Sequence, residues 1–153
     1  MALDALNAQI SAALKERSES ERTRNLIRGT LLLWHDHLDA AHSIAQEIED
    51  SDGSLLHAMM HRRELDYWNS KYWFRRAGRH ACYPAIAGNV RPFLINEHAP
   101  LADQLTPRGV WEPAAFVDAC EMAAGRKAGE TNQQVLQKVQ RFEFLSFLEH
   151  LCA

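Results

Sequence analysis

Along almost the whole chain apolar residues return at intervals of three and four, and no stretch alternates apolar with polar as a half-buried strand would. That period lays one apolar stripe along each helix, so an all-α chain is expected. Leu3, Leu6, Ile10 and Leu14 mark a helix over residues 3–16; Leu26, Ile27 and Leu31 mark a second that ends near Trp34. Ser18-Glu19-Ser20-Glu21 matches a capping box in which Ser18 accepts from the Glu21 amide, so the second helix is predicted to start there. Residues 37–49 carry Leu38, Ala41, Ala45 and Ile48 on one face. They either continue the second helix or follow a tight turn at the polar cluster His35-Asp36-His37.

Asp50-Ser51-Asp52-Gly53 is a turn signal, with Ser51, Asp52 or Ser54 as the cap of a helix over 54–65. Another helix, over 67–77, is predicted to stop at Gly78 as a left-handed residue just past its end. All five prolines, Pro84, Pro92, Pro100, Pro107 and Pro113, fall between residues 84 and 113. Long helices are not expected there, and the segment reads as an irregular strap pinned to the core by Val90, Phe93, Leu94, Ile95 and Leu101. Pro113 restarts a helix whose face is Phe116, Val117, Cys120 and Ala124 and which stops at Gly125. Gly129 opens the last connection, and Val135, Val139, Phe142, Leu145 and Leu148 give the buried face of a C-terminal helix from Glu130 to His150. The expected architecture is a single domain over 1–153: about six helices in antiparallel hairpins, tetratricopeptide-like or an orthogonal bundle, with the proline-rich strap between.

Size and composition fit an ordinary globular domain, with 153 residues, 46% hydrophobic and 24% charged. The apolar runs fall far short of the roughly 20 residues needed to cross a bilayer, and Asp4 stands where a signal peptide wants positive charge, so a cytoplasmic protein is expected. Cys82, Cys120 and Cys152 are widely spaced with no CxxC pattern and read as reduced thiols. The chain carries a formal −3, yet residues 57–80 hold six Lys/Arg against two acids, a local +4 that leaves −7 for the rest. That stretch suits an anionic partner, or pairing with acids of neighbouring helices, while the negative total argues against nucleic acid.

The same stretch, HAMMHRRELDYWNSKYWFRRAGRH, is the densest in chemically capable side chains. Offset by 29 residues, it aligns with the preceding helices: Gly29 meets Ala58, Leu38 meets Tyr67, Ala41 meets Ser70 and Ile48 meets Ala77. Small residues at matching positions permit close helix crossings. Laid out so, residues 54–77 resemble a tetratricopeptide repeat through Ala58, Asp66, Tyr67, Ser70, Phe74 and Ala77, although the period is short and the Trp-Leu-Gly start is missing. That resemblance implies a helical hairpin with a groove and no activity. Over residues 34–80, two strings, WxDxxDAAHxxAQ and HxxxHRRExDxxNxKYWFRR, are similar to a small helical family of bacteria and fungi whose members are uncharacterised. His57-Ala-Met-Met-His61-Arg also resembles the paired-histidine segment of metal-binding bundles of the DinB type, but with His42 only 15 residues upstream the connectivity must differ.

Spacing defines the candidate chemistry. If residues 37–49 and 54–65 pair as a hairpin, Gln46 meets His57, His42 meets His61 and Asp39 meets Glu64. His42, His57 and His61 then become candidate ligands of a divalent metal, with Glu64 or Asp39 as a fourth ligand or a general base, Glu64 being the expected base in an enzyme, and His61 as acid or ligand. Asp36, Asp39, Gln46, Arg62, Asn69, Tyr72, Trp73, Arg75 and Arg76 are the candidate contacts for a small anionic ligand; His35, His37 and His80 could join from the hairpin ends. If this is an enzyme, acid–base or metal-assisted hydrolysis is the expected class. The alternative is a non-catalytic module presenting Trp68, Tyr72, Arg75 and Arg76 to a protein or anionic partner, with the other arginines merely holding helices in register.

Overall fold

The computed structural model describes residues 1–125 and 130–153. The expected Gly129 boundary lies outside them. Among the described residues there is no strand, and there are nine α-helices rather than about six: α1 (Leu3–Leu14), α2 (Glu21–Trp34), α3 (Leu38–Ala45), α4 (Ser51–Arg63), α5 (Tyr67–Ala77), α6 (Tyr83–Glu97), α7 (Ala99–Leu105), α8 (Pro113–Gly125) and α9 (Glu130–Cys152), with a short 3-10 turn at Pro107–Gly109. Among the described residues no helix is long and apolar enough to cross a membrane.

The surplus helices come from the proline-rich segment, which is helical and not an irregular strap. Pro84 and Pro100 sit in the first turns of α6 and α7, and Pro107 and Pro113 open their own elements. A first-turn proline forfeits an N–H that had no helical partner anyway. Only Pro92 is interior, and both it and Gly88, whose carbonyl loses its donor, face solvent. Water can satisfy that carbonyl, so α6 runs through. Val90 and Leu94 are fully buried, whereas Ile95 is exposed.

Local capping differs in register from the sequence reading. Ser20, not Ser18, caps α2, accepting from the Thr23 amide at 3.2 Å. Asp50 caps α4 through the Gly53 amide at 3.0 Å. A Cβ on Gly53 would stand 1.8 Å from the Ile48 carbonyl oxygen, so only glycine lets the chain enter α4 this closely. Gly78 has the expected positive φ of 68°, with extended ψ of −145°.

The turns α2–α3 and α4–α5 are copies of each other at the 29-residue offset. His37 N–H reaches back to Leu32 O and Asp36 N–H to Leu33 O; Asp66 N–H reaches His61 O and Leu65 N–H reaches Arg62 O. Both are Schellman closures around a left-handed residue, Asp36 at φ 62° and Leu65 at φ 63°. The small residues mark close crossings: Ser70 Oγ donates to the Ala58 carbonyl at 2.8 Å, and a Cβ on Gly29 would meet Leu56 at 2.7 Å.

Helix α4 is the centre of the domain. Every residue from Gly53 to Arg62 is buried, because α2, α3 and α5 all pack on it. Its polar residues are therefore drawn inside with the apolar ones. Helix α9 also departs from its predicted face: Leu145 is exposed and Phe142 and Leu148 are half-buried, while Val135, Val139, Glu143, Phe144, Ser146, Phe147 and Leu151 are buried. The rotation brings Glu143 inward, where both its oxygens bond the Arg62 guanidinium and the arginine lies 4.4 Å over the Phe116 ring.

Candidate functional site

Imidazoles from α3 and α4 gather at one point. His57 and His61, one turn apart on α4, have ring centroids 4.9 Å apart and nearly parallel planes. His42 of α3 lies 4.7 Å from His57 and 5.4 Å from His61, ring to ring. One ligand-capable atom of each ring comes within 4.8 Å of the other two. From α5, Trp73 stacks on His57 at 3.9 Å.

Burial favours the neutral form of His57 and His61. His57 is 4% exposed, and burial first, then the neighbouring His61 and His42, pushes its pKa down to about 4. His61 is also lowered, burial outweighing the opposing pull of Glu64 and Asp66. The Nδ1 atoms of both rings are enclosed without a hydrogen bond. Glu64 Oε2 stands 3.3 Å from His61 Nδ1 and Asp66 Oδ2 3.8 Å from it, close enough to attract a proton to that nitrogen without being aligned as hydrogen-bond partners. Neutral imidazoles with unshared lone pairs are what a transition-metal ion requires.

A second cluster, Asp52, His80 and His150, meets the same proximity condition, with ligand-capable atoms within 4.8 Å. Its ligand-capable atoms are already engaged in hydrogen bonds within the protein. The Cys82 amide donates to His80 Nδ1 at 3.1 Å, so that nitrogen holds the lone pair and Nε2 carries the hydrogen, which goes to Asp52 Oδ1 at 2.8 Å. His150 Nε2 reaches the same oxygen at 3.0 Å, and Arg22 holds Oδ2 at 2.6 Å. The His80 bond, then Arg22 and His150, hold the Asp52 carboxyl well below the usual carboxylate range. This is a hydrogen-bonded knot joining α2, α4, α9 and the α5–α6 turn, and His80 belongs to it rather than to the three-histidine group.

The remaining candidates scatter. Arg62 is not a ligand contact, being sealed against Glu143. Arg63 pairs with Asp36 in the α2–α3 turn, so neither enters the site. Asp39 is exposed on α3, and Gln46, at the C-cap of α3, is exposed instead of meeting His57. Asn69 Nδ2 donates to Asp66 Oδ2 at 2.6 Å, within the cap of α5. His37 Nε2 lies 3.2 Å from the Met1 carbonyl, and His35 ends α2. Tyr72 and Arg76 adjoin the site through Trp73, at 5.4 Å and 5.1 Å from its ring. Arg75 is exposed next to them.

Sequence reasoning missed Glu143, Asp52 and His150. Nothing in their local spacing marks them; their partners are 81, 28 and 98 residues away. A cavity of about 720 Å³ lined by Gly78, Arg79, His80, Tyr83, Trp111 and Glu112 includes none of the three clustered histidines. Neither a family model, nor a curated protein, nor a solved structure matches the chain.

Proposed function

We propose that the protein binds a divalent transition metal through His42, His57 and His61, and that the bound ion serves metal-assisted hydrolysis. The observation that carries this is the convergence of three imidazoles within 4.8 Å, one of them, His57, with an enclosed Nδ1 that no protein group satisfies. Buried polar atoms are normally bonded, so such a group calls for a bound species. To hold an ion, the three ligand-capable nitrogens, now within 4.8 Å of one another, would have to draw closer together. Neutral imidazole suits zinc, iron, nickel or copper. Held by His42, His57 and His61, such an ion would supply the activation of water as a nucleophile near neutral pH.

Glu64, expected as a general base, is better suited to orienting His61. A carboxylate beside Nδ1 draws the proton there and leaves Nε2 as the donor, the usual arrangement behind a ligating histidine. The duplicated α2–α3 and α4–α5 turns support reading these helices as two tandem hairpins of the tetratricopeptide kind, with the site between them. The three free cysteines fit a reducing cytoplasmic setting.

Elemental analysis and calorimetric titration of the metal-stripped protein with Zn²⁺ test the reading. One equivalent is expected to bind to the wild type and to be lost in His57→Ala and His61→Ala variants that retain their helical circular dichroism. A folded wild type that takes up no divalent ion would overturn it.

A further inference from the structure

Helix α5 carries Trp68, Tyr72, Arg75 and Arg76 at spacings of four, seven and eight, which is one face of a helix. That face is continuous with the three-histidine group. Trp73 stacks on His57 at 3.9 Å; Tyr72 meets Trp73 edge-on at 5.4 Å; and the Trp68 and Tyr72 rings run parallel with centroids 6.2 Å apart. Trp68 is 72% exposed, a large apolar plane left open to solvent. Arg76 is pre-positioned on this surface, 5.1 Å over Trp73 and 6.0 Å over Tyr72, with its one described hydrogen bond going to the Tyr72 hydroxyl at 3.3 Å.

The charges of α5 are less compensated than those before it, and among the described residues Arg79, Arg108 and Arg141 further along are likewise without a carboxylate within 4.0 Å. From Arg17 to Arg63 each arginine is held by a carboxylate, a carbonyl or an amide oxygen. Among the described residues no carboxylate lies within 4.0 Å of Arg75 or Arg76. The one other cation of α5, Lys71, is neutralised by Asp118 at 2.5 Å. An exposed aromatic face combined with two uncompensated guanidinium groups matches a ligand with a flat ring at one end and an anion at the other. The guanidinium fork pairs bidentately with phosphate or carboxylate, and the rings offer stacking.

We propose that this face of α5 is the recognition surface of the histidine site and takes a small aromatic phosphate or carboxylate, its ring on Trp68 and Tyr72 and its anion on Arg75 and Arg76. The assignment rests on the metal reading only for what happens to the ligand afterwards. Recognition itself is a property of α5. The commitment to a small ligand comes from extent: the open aromatic plane spans one pair of side chains and the cationic patch another pair, which matches one ring and one anionic group.

The test uses phenyl phosphate, inorganic phosphate and cyclohexyl phosphate as probes, with binding followed by calorimetry and metal content measured on the same samples. Wild type is expected to bind phenyl phosphate at least tenfold more tightly than either of the others. Trp68→Ala is expected to erase that preference, and Arg75→Gln/Arg76→Gln to weaken phenyl phosphate about tenfold, both with metal content unchanged. Equal binding of the three probes, or phenyl phosphate binding indifferent to the arginines, overturns the proposal even if metal is present. Arginine- and Trp68-dependent binding in a protein that takes up no metal upholds it and sinks the metal reading alone. Tighter binding of an acidic peptide or a single-stranded oligonucleotide than of phenyl phosphate overturns the small-ligand assignment.

Discussion

His61 Nδ1 lies 3.3 Å from Glu64 Oε2, across one turn at the C-terminal end of α4. Since His61 is also one turn from His57, a single helical segment supplies two metal-capable rings and the carboxylate that biases the proton on one of them. Replacing Glu64 by Gln keeps the shape and removes the charge that holds that proton on Nδ1. Metal affinity, measured by competition with a chelator, is expected to fall about 10–100-fold in Glu64→Gln with one-to-one stoichiometry retained. Unchanged affinity would remove Glu64 from the site.

The metal-free protein should lose stability on mild acidification. With its pKa lowered to about 4 in the folded state from an ordinary 6.5, His57 stays neutral between those values while the unfolded chain takes up the proton. Stability is therefore fully present above pH 6.5 and declines as pH falls toward 4, by about 3 kcal/mol for this one group. Urea denaturation across that window, with His57→Phe as the control whose profile flattens, checks the sign and the size.

The Arg62–Glu143 pair is almost completely buried, so removing one partner strands a charge. Glu143→Ala or Arg62→Ala is expected to cost about 3–5 kcal/mol in urea denaturation, whereas the joint change Arg62→Met/Glu143→Leu recovers most of the loss. A single substitution costing under about 1 kcal/mol would mean that the pair contributes little to holding α4 against α9.

Asp52 is held by His80, His150 and Arg22 at its oxygens and is also a first-turn acid of α4. Because its folded pKa is depressed, its contribution is present above the ordinary carboxylate value and disappears as pH drops toward the folded one, a window below that of His57. Asp52→Asn should destabilise by about 1–3 kcal/mol at neutral pH and leave the bound metal untouched. Loss of metal in this variant would contradict the proton placement on His80.

The helical class, the stop at Gly78 and the approach of His42 to His61 were legible in the sequence, since each depends on helical period or on a few adjacent residues, whereas the sequence left open whether His35–His37 forms a turn. The proline segment was misread because proline disfavours helix interiors in general, while whether Pro92 matters depends on which way Gly88 faces. Likewise nothing local distinguishes Arg62 from Arg63, yet one is sealed against Glu143 and the other lies at the surface with Asp36.

By itself the sequence determined that the chain is helical, where helices run outside the proline-rich segment, and that residues 57–80 concentrate imidazole, guanidinium and aromatic groups. Only the tertiary structure decided which of those groups face one another. Period and spacing are set within a turn or two of helix, but burial of α4 on all sides, the rotation of α9 and the joining of Asp52 to His150 arise from packing between segments far apart in the chain.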